Sequence, residues 1–381
     1  MRAPICAWYG PGYYENPDPP KPAQPEPEPE PKPKPSPSNG KKDRPEPPGR
    51  GPKRAGAREP APVSARHALI LGKFLPLHAG HEYLVGVARA LAETTTLLAR
   101  VRPADPIAPE LRLAWLRELF GARVGALDGP DPADSAGAPA FWHTWRDHVI
   151  SSLARLPEAP KVDLVVSSDR EAWRLAELFG ARHVLVDPDR AVVPISSSAI
   201  RRDPLAAWPY LPPPVRAHYA RRVVLLGPES SGKSTFARAL AAALDTVYVP
   251  EQARLFAERC GGQLREVDLP AIADLQAATE DAAARRANRC VIADTDALSL
   301  RLWAERLFGR APALPVRVPD VYLVTDASLP FAGPAERDDP AARRAFAARC
   351  LAEARASGAR VALLPSDPAA RLEAALAALR R

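Results

Sequence analysis

Two glycine-containing motifs, at 72–81 and 227–234, most strongly limit what this chain can fold into. The first reads GKFLPLHAGH and the second reads GPESSGKS. Each follows a short apolar run and leads into a stretch rich in alanine and leucine. A strand, a glycine-containing turn and a helix in this order are typical of parallel sheets covered by helices. The chain is therefore expected to contain two α/β domains, each with its own site.

The segments around the motifs continue this alternation of strand and helix. Amphipathic stretches predict helices, for example at 109–120. We expect a Rossmann-like domain over 67–205, a proline-rich linker over 206–221, without a long helix, and a P-loop kinase-type parallel α/β domain over 222–381. Apolar runs predict strands at 68–71, 95–101, 162–166, 183–186, 222–226, 247–249, 290–293, 321–324 and 361–364.

Residues 1–66 have a different composition. They hold 19 of the 46 prolines, and 25–35 alternates proline with charged residues. Such a segment buries too little apolar surface to offset its chain entropy, so it is predicted to be disordered or extended. It carries 12 basic and 8 acidic residues, hence +4 of the net charge of +7. The near-neutral remainder argues against DNA or RNA as the main partner.

Composition also excludes several other classes of protein. No stretch reaches about 18 consecutive apolar residues, so no membrane span is predicted. The N-terminus lacks the apolar core of a signal peptide, and the four cysteines have no metal-ligand or CxxC spacing. We expect a cytoplasmic protein, and the sequence leaves open whether it forms a homo-oligomer.

The first motif has the residues of an anion-binding pocket. His78 and His81 are three apart and should project together where the loop becomes a helix, beside its positive end. Two imidazoles there can stabilise charge on an α-phosphate as pyrophosphate leaves. Lys73 supports this interpretation, because it is one of only three lysines after residue 66. The alternative is that both histidines are surface residues on a tight turn.

A second segment, ISSSAIR at 195–201, supports the first. Hydroxyls at a helix start, followed by Arg201 one turn later, can hold phosphate oxygens; alone, they would suggest only a helix cap. Together the two segments resemble the HxGH-type nucleotidyltransferases, which carry (H/T)xGH and ISxTxIR motifs. Ser198 stands where threonine is more usual and keeps the hydroxyl. The resemblance implies catalysis by the two histidines and ATP binding by Gly72, Lys73, Phe74, His78, His81, Ser196, Ser198 and Arg201.

The second motif matches the P-loop template between a strand and a helix. In such a loop the backbone amides wrap the β-phosphate, Lys233 bridges phosphates and Ser234 ligates Mg²⁺. The predicted ATP-binding residues are Gly227, Glu229, Ser230, Ser231, Gly232, Lys233, Ser234 and Thr235.

Acidic residues follow two later strands. Asp294 and Asp296 end an apolar strand, where a carboxylate can touch Mg²⁺ or take a proton from an attacking hydroxyl; a loop capped by aspartates is the alternative. Glu251 and Arg254 follow the strand after the P-loop helix and can face the acceptor. A charged segment with Arg337, Arg343 and Arg344 fits a lid over the phosphates or a solvated helix face.

The order of these motifs resembles the bifunctional NadR family over roughly 67–365. That resemblance implies a nicotinamide-mononucleotide adenylyltransferase at 67–205 and a ribosylnicotinamide kinase at 222–381, with ATP and Mg²⁺ and with NAD as the product. Some members begin with a helix-turn-helix repressor domain, where this chain has a proline-rich segment. The implied roles are riboside binding by Glu251, Arg254, Asp294 and Asp296, catalysis by Lys233 and Asp294, Mg²⁺ binding by Ser234 and Asp294, and nicotinamide binding by Trp142 and Trp145.

Three alternatives stay open. The first domain could use another acceptor, such as phosphopantetheine or flavin mononucleotide. The P-loop domain could be a nucleotide sensor that transfers no phosphate. Trp142 and Trp145 could be core residues of an amphipathic helix instead of stacking partners for a ring.

Overall fold

The apolar segments of the first half form a five-stranded parallel sheet in the order β3-β2-β1-β4-β5. The strand order reverses beside β1, and ligands of such sheets bind near the carboxyl ends of the strands at this point. The strands are β1 (Ala65–Gly72), β2 (Ala92–Arg100), β3 (Val124–Leu127), β4 (Leu164–Ser167) and β5 (Arg182–Leu185). The helices are α1 (Ala79–Leu91), α2 (Pro109–Phe120), α3 (Pro139–Leu153), α4 (Trp173–Phe179) and α5 (Ser197–Arg202).

The second half forms another five-stranded parallel sheet in the order β10-β9-β6-β8-β7. The carboxyl ends of β6, β8 and β7 therefore lie side by side. The strands are β6 (Arg221–Leu226), β7 (Val247–Val249), β8 (Cys290–Asp294), β9 (Val321–Thr325) and β10 (Arg360–Leu364). The helices are α7 (Lys233–Ala243), α8 (Gln252–Arg259), α9 (Leu269–Ala284), α10 (Ala297–Phe308), α11 (Pro340–Ala356) and α12 (Pro368–Arg380), after α6 (Pro213–Tyr219) between the sheets.

This computed structural model describes residues 65–121, 123–128, 139–157, 161–262, 264–310, 312–331 and 339–380. The prediction of parallel α/β sheets is confirmed, and each predicted strand is present within a few residues of its expected position. The short strand β3 was not predicted. The prediction of disorder at 1–66 falls almost entirely outside the described residues. Within them, no helix has the length and apolar composition needed to cross a membrane.

The junction between the two sheets packs more closely than a linker would. Its short helix α6 begins with prolines, which are tolerated in a first turn because the N–H groups there need no helical partner. Val215 is fully buried and Trp208 is 4% exposed. The indole Nε1 of Trp208 donates to the carbonyl of Ala287 at 3.0 Å. Beside it, Nη2 of Arg285 donates to Oε2 of Glu118 in α2 at 2.9 Å.

We expect Trp208→Phe to lower the free energy of unfolding by about 1–3 kcal/mol, because the buried carbonyl of Ala287 loses its donor while most of the ring volume stays. Urea unfolding followed by circular dichroism measures this difference. Trp173→Phe is the matched control, since Trp173 is 46% exposed and should cost little. Equal unfolding midpoints for Trp208→Phe and the wild type would contradict the role of this hydrogen bond.

Candidate nucleotide sites

The two histidines of the first motif lie together at the start of α1. Their ring centroids are 3.9 Å apart, and the ring of Phe74 lies 4.8 Å from that of His81. His78 is the N-cap residue, and its Nδ1 accepts the N–H of Gly80 at 3.1 Å. Nδ1 of His81 accepts the N–H of His78 at 3.3 Å. Since both Nδ1 atoms accept, these hydrogen bonds assign the proton of each neutral ring to Nε2.

Both imidazoles are neutral at pH 7. Burial, and after it the positive charge of Arg190, lowers the pKa of His78 to about 4. The pKa of His81 is held well below its usual value by burial, then by the charges of His78 and Arg190. Arg190 was not among the predicted site residues; it lies on the loop after β5 with a φ of 55°. Its charge acts on both imidazoles, so this loop lies near the first motif.

The depressed pKa of His78 predicts a pH-dependent stability. Its unfolded pKa is about 6.5, so the unfolded chain binds the proton first as the pH falls. Between pH 7 and pH 5 the wild type should lose about 2 kcal/mol more stability than His78→Asn, in which the amide still caps the helix but does not titrate. Urea unfolding of both proteins at the two pH values measures the difference. A parallel loss in both would show that His78 titrates normally in the folded protein.

The serine-arginine segment at 195–201 makes hydrogen bonds to the first motif. Ser196 caps α5 by accepting the N–H of Ala199 at 3.2 Å. The hydroxyl of Ser197 donates to the carbonyl of Pro76 at 3.0 Å, and Nη1 of Arg201 donates to the carbonyl of Leu75. Nη2 of Arg201 lies 3.4 Å from the hydroxyl of Ser198. The structure therefore brings the two predicted segments together, although 121 residues separate Ser197 from Pro76.

A buried arginine holds the other side of the first loop. Arg112 of α2 is 0% exposed, and its Nη1 donates to the carbonyls of Lys73 at 2.7 Å and Arg100 at 3.0 Å. Its Nη2 pairs with the carboxylate of Asp105. The carboxyl ends of β1 and β2 are thus joined through one side chain. Sequence analysis missed Arg112 because it reads as a polar position of an amphipathic helix.

The two tryptophans proposed to stack on nicotinamide lie in the core. Trp142 is 7% and Trp145 is 4% exposed, and both pack with Phe141 and Leu69 against the first sheet. This position agrees with the alternative of an amphipathic core helix. Their role in ring stacking stays a prediction.

The second motif forms a tight loop between β6 and α7. Gly227 has a φ of 147°, and a Cβ there would lie 2.2 Å from Oγ1 and 2.6 Å from the carbonyl oxygen of Thr325, so only glycine fits. The hydroxyl of Ser231 donates to the carbonyl of Pro228 at 2.8 Å, and Nζ of Lys233 donates to the same carbonyl at 2.7 Å. Ser234 and Thr235 follow in the first turn of α7, next to these groups.

The predicted acidic residues gather at the carboxyl ends of the strands beside this loop. Asp294 is 1% exposed; its Oδ2 lies 3.3 Å from the hydroxyl of Tyr248, and its Oδ1 has no hydrogen-bond partner among the described residues. Glu251 accepts Nη2 of Arg254 at 3.1 Å. Burial raises the pKa of Glu251; the charges of Arg254 and Lys233 lower it, and that of Asp294 raises it. These groups therefore act on one another electrostatically.

Asp296 is the N-cap residue of α10. Its carboxylate accepts the N–H of Ser299 at 2.9 Å and the hydroxyl of Tyr322. Burial raises the pKa of Asp296, and these two hydrogen bonds oppose that effect. Gln276 of α9 supports this turn, because its Nε2 lies 3.3 Å from the carbonyl of Thr295 and its Oε1 accepts the N–H of Gln252. Asp296 therefore caps a helix, as the alternative interpretation expected, and this does not prevent it from also taking part in the site.

A cleft that is open to solvent lies beside the P-loop. Lys233, Glu251, Arg254 and Asp296 line its polar part, and Trp303 and Phe308 of α10 line its apolar part. Sequence analysis missed both aromatic residues, because they occupy ordinary positions of an amphipathic helix. The cleft thus has a polar end beside the P-loop lysine and an apolar end along α10, a combination typical of small-molecule sites.

The charged segment considered as a lid is only partly described. Residues 332–338, which include Arg337, lie outside the described residues. Arg343 is 6% exposed on α11; its Nη2 donates to the carbonyl of Leu329 at 3.0 Å, and its Cζ lies 5.5 Å from the ring centroid of Phe331. The solvated-face interpretation is thus wrong for Arg343 and fits only the exposed Arg344.

Comparisons with known proteins find relatives of this chain and of its fold. Residues 222–371 match the AAA_28 family, described as an AAA domain. The trifunctional NAD biosynthesis/regulator protein NadR of Escherichia coli is 31% identical over 271 residues, covering 64% of this chain and 63% of its own length. Its namesake in Salmonella typhimurium is 30% identical over 270 residues, with the same coverage. The chain thus spans less than two thirds of these relatives.

Two crystal structures of NadR protein share the fold. One, in complex with NR, has a TM-score of 0.66 and 20% identity, and covers 84% of this chain and 96% of its own. The other, in complex with NAD and AMP-PNP, has a TM-score of 0.61 and 21% identity, and covers 84% and 97%. Over about two thirds of its length this chain is therefore similar to the NadR proteins, and its second half matches the AAA_28 family.

Proposed function

We propose that this chain makes NAD from ribosylnicotinamide in two steps. The P-loop domain over 222–381 phosphorylates ribosylnicotinamide with ATP, and the domain over 67–205 transfers AMP from a second ATP to the mononucleotide. The observation that carries the proposal is the presence of two different nucleotide loops, each at the carboxyl edge of its own parallel sheet. Enzymes named for NAD biosynthesis among the relatives support the same pathway.

In the first domain the reaction needs no protein nucleophile. A phosphate oxygen of the mononucleotide attacks the α-phosphorus of ATP, and the bond to pyrophosphate breaks. The Nε2–H groups of His78 and His81 donate to the charge that develops on the phosphate oxygens. Neutral rings suit this role, because the site is already positive from Arg190 and a helix N-terminus. Ser196, Ser198 and Arg201 hold the leaving phosphates.

In the second domain a hydroxyl of the riboside attacks the γ-phosphorus, and the bond to ADP breaks. Lys233 and the loop amides stabilise the charge of the transferred group. Glu251, Arg254 and Asp296 line the cleft and are proposed to hold the ribose hydroxyls. A carboxylate at the end of β8, that of Asp294 or of Asp296, takes the hydroxyl proton.

The donors beside the P-loop fit a magnesium ion. Mg²⁺ is usually held by one or two protein oxygens together with phosphates and water. Ser234 offers a hydroxyl, and Asp294 offers an Oδ1 atom that lacks a hydrogen-bond partner among the described residues. When bound there, the ion would neutralise charge on the β- and γ-phosphates. The described residues hold no cluster of three metal-ligating side chains, which suits an ion that depends on the nucleotide.

The aromatic end of the cleft suits a cationic pyridinium ring. Trp303 and Phe308 line this end of the cleft, and a cationic ring bound against an aromatic side chain there would be attracted by its quadrupole. A neutral nucleoside base would lack this cation–π attraction. We therefore expect the second domain to prefer ribosylnicotinamide over uridine or adenosine.

A coupled assay tests the proposal. Purified protein is given ribosylnicotinamide, ATP and Mg²⁺, and chromatography follows the mononucleotide and NAD. NAD formation is the expected result. Mononucleotide that accumulates without NAD would contradict adenylyl transfer, and parallel reactions with phosphopantetheine and flavin mononucleotide would identify another acceptor. If only added mononucleotide is converted to NAD, the P-loop domain is not a kinase for this riboside and the sensor alternative is favoured.

A further inference from the structure

The carbonyl groups of the P-loop need hydrogen-bond donors on the side of the loop that faces away from the nucleotide. A loop that points successive N–H groups at a phosphate points its carbonyls elsewhere, and buried carbonyls need donors. The carbonyl of Pro228 accepts from Ser231 and Lys233, which belong to the same motif. The carbonyl of Ser231 accepts from outside the motif, from Nη1 of Arg371 at 3.2 Å.

Arg371 lies wedged between the P-loop and the turn before α12. Its side chain is in the first turn of that helix and the residue is 5% exposed. Its Nε donates to the carbonyl of Pro365 at 2.8 Å, and its Cζ lies 5.7 Å from the ring centroid of Phe236 in α7. A Cβ on Gly232 would lie 3.1 Å from Nη1, so the guanidinium touches the point where the loop becomes a helix. One side chain thus joins α12 to the P-loop.

Burial of this cation is costly for the fold. Desolvation lowers the pKa of Arg371, and the negative charge of Asp326 partly opposes this shift. Its Nη2 has no hydrogen-bond partner among the described residues. Apolar residues of similar volume often replace buried charges without loss of stability. Apolar packing of α12 alone therefore does not require an arginine at this position, whereas the carbonyls of Pro365 and Ser231 both require a donor.

We propose that Arg371 is a positioning residue of the second site: it holds the carbonyl of Ser231 and so keeps the P-loop amides arranged for a nucleotide phosphate. The inference rests on nucleotide binding by the P-loop, and on no particular acceptor. Without this contact, the loop samples other arrangements and must be ordered by the ligand. If the competent arrangement falls to about one tenth of the population, the apparent dissociation constant rises about tenfold.

Two substitutions separate positioning from packing. Arg371→Met removes the donors and keeps an apolar side chain of similar length, and Arg371→Lys keeps the charge with a single donor group. Calorimetry on the full chain measures the affinity for ADP with Mg²⁺, and the P-loop isotherm is the one that disappears in Lys233→Met. We expect about tenfold weaker binding in Arg371→Met, a lower melting temperature because the carbonyls of Ser231 and Pro365 lose their donors, and partial rescue of binding in Arg371→Lys.

Arg360→Met is the matched control. Nη1 of Arg360 also donates to a carbonyl connected with α12, that of Ala378, at 2.8 Å, but it lies at the far end of the helix from the P-loop. Wild-type affinity is expected for this variant. If Arg360→Met and Arg371→Met weaken ADP binding equally, general packing of α12 determines the affinity, and the proposal is overturned. So would wild-type affinity in Arg371→Met.

Two further outcomes are distinguishable. If Arg371→Met does not fold, wild-type affinity in a folded Arg371→Lys would overturn the proposal and weaker affinity would support it. If the wild type binds ADP at the P-loop but phosphorylates no ribosylnicotinamide, the proposed function fails while the binding comparison still decides the role of Arg371.

Discussion

The substitution His81→Ala is expected to lower the rate of adenylyl transfer by about 10²- to 10³-fold, because it removes an N–H donor to the charge that develops on the α-phosphate. Its partner His78 remains, and the ring centroid of His78 lies only 3.9 Å from that of His81. Chromatography of NAD formed from added nicotinamide mononucleotide and ATP measures the rate. A change below about threefold would mean that charge on the α-phosphate is stabilised elsewhere.

Two controls make this result specific. His81→Asn keeps an acceptor for the N–H of His78, so the difference between the asparagine and alanine variants reports damage to the start of α1. His143→Ala changes an exposed histidine of α3 and should keep the wild-type rate. Phosphorylation by the second domain should stay unchanged in His81→Ala and serves as an internal measure of folded protein.

Methionine at Lys233 should reduce phosphorylation of ribosylnicotinamide by about 10³-fold or more, since the lysine supplies the cation that bridges the β- and γ-phosphates. The thioether keeps the length of the side chain but cannot donate to the carbonyl of Pro228 or to a phosphate. The summed yield of mononucleotide and NAD from the riboside measures phosphorylation, because both products contain the new phosphate.

Adenylyl transfer from added mononucleotide should continue at the wild-type rate in Lys233→Met, because the first domain has its own nucleotide loop. Lys161→Met is the control for loss of a lysine outside the motifs. Phosphorylation that survives in Lys233→Met would contradict the assignment of the P-loop as the kinase site. Loss of both activities would point to a damaged fold and would be visible as a lower melting temperature.

The sequence predicted the parts of each site that lie close together along the chain. The spacing of His78 and His81 predicts adjacent rings, and the P-loop template predicts a helix that begins at its lysine. The apolar run before Asp294 predicts that this carboxylate ends a strand. Because the strands are parallel, such ends meet at one edge of the sheet. Local sequence pattern and the geometry of parallel sheets were therefore sufficient to predict where these residues lie.

Contacts made across the fold were not predictable in this way. The hydroxyl of Ser197 donates to the carbonyl of Pro76, and Arg112 donates to the carbonyl of Lys73. From the last helix, Arg371 donates to the carbonyl of Ser231 in the P-loop. Each is an ordinary polar residue in its own segment, and its partner is a backbone carbonyl that carries no sequence signal. Trp142 and Trp145 illustrate the converse, because an aromatic pair that suggested a ligand packs in the core.

The hydrophobic core of this chain crosses the junction between the sheets. Leu97 and Trp115 of the first half belong to the same buried cluster as Trp208, Val224 and Val291. Cutting the chain near α6 would expose apolar surface on both fragments, which favours aggregation. Neither half is therefore expected to fold independently of the other. A destabilising substitution anywhere in this shared core should weaken both sites together, including the site in the half that was not changed.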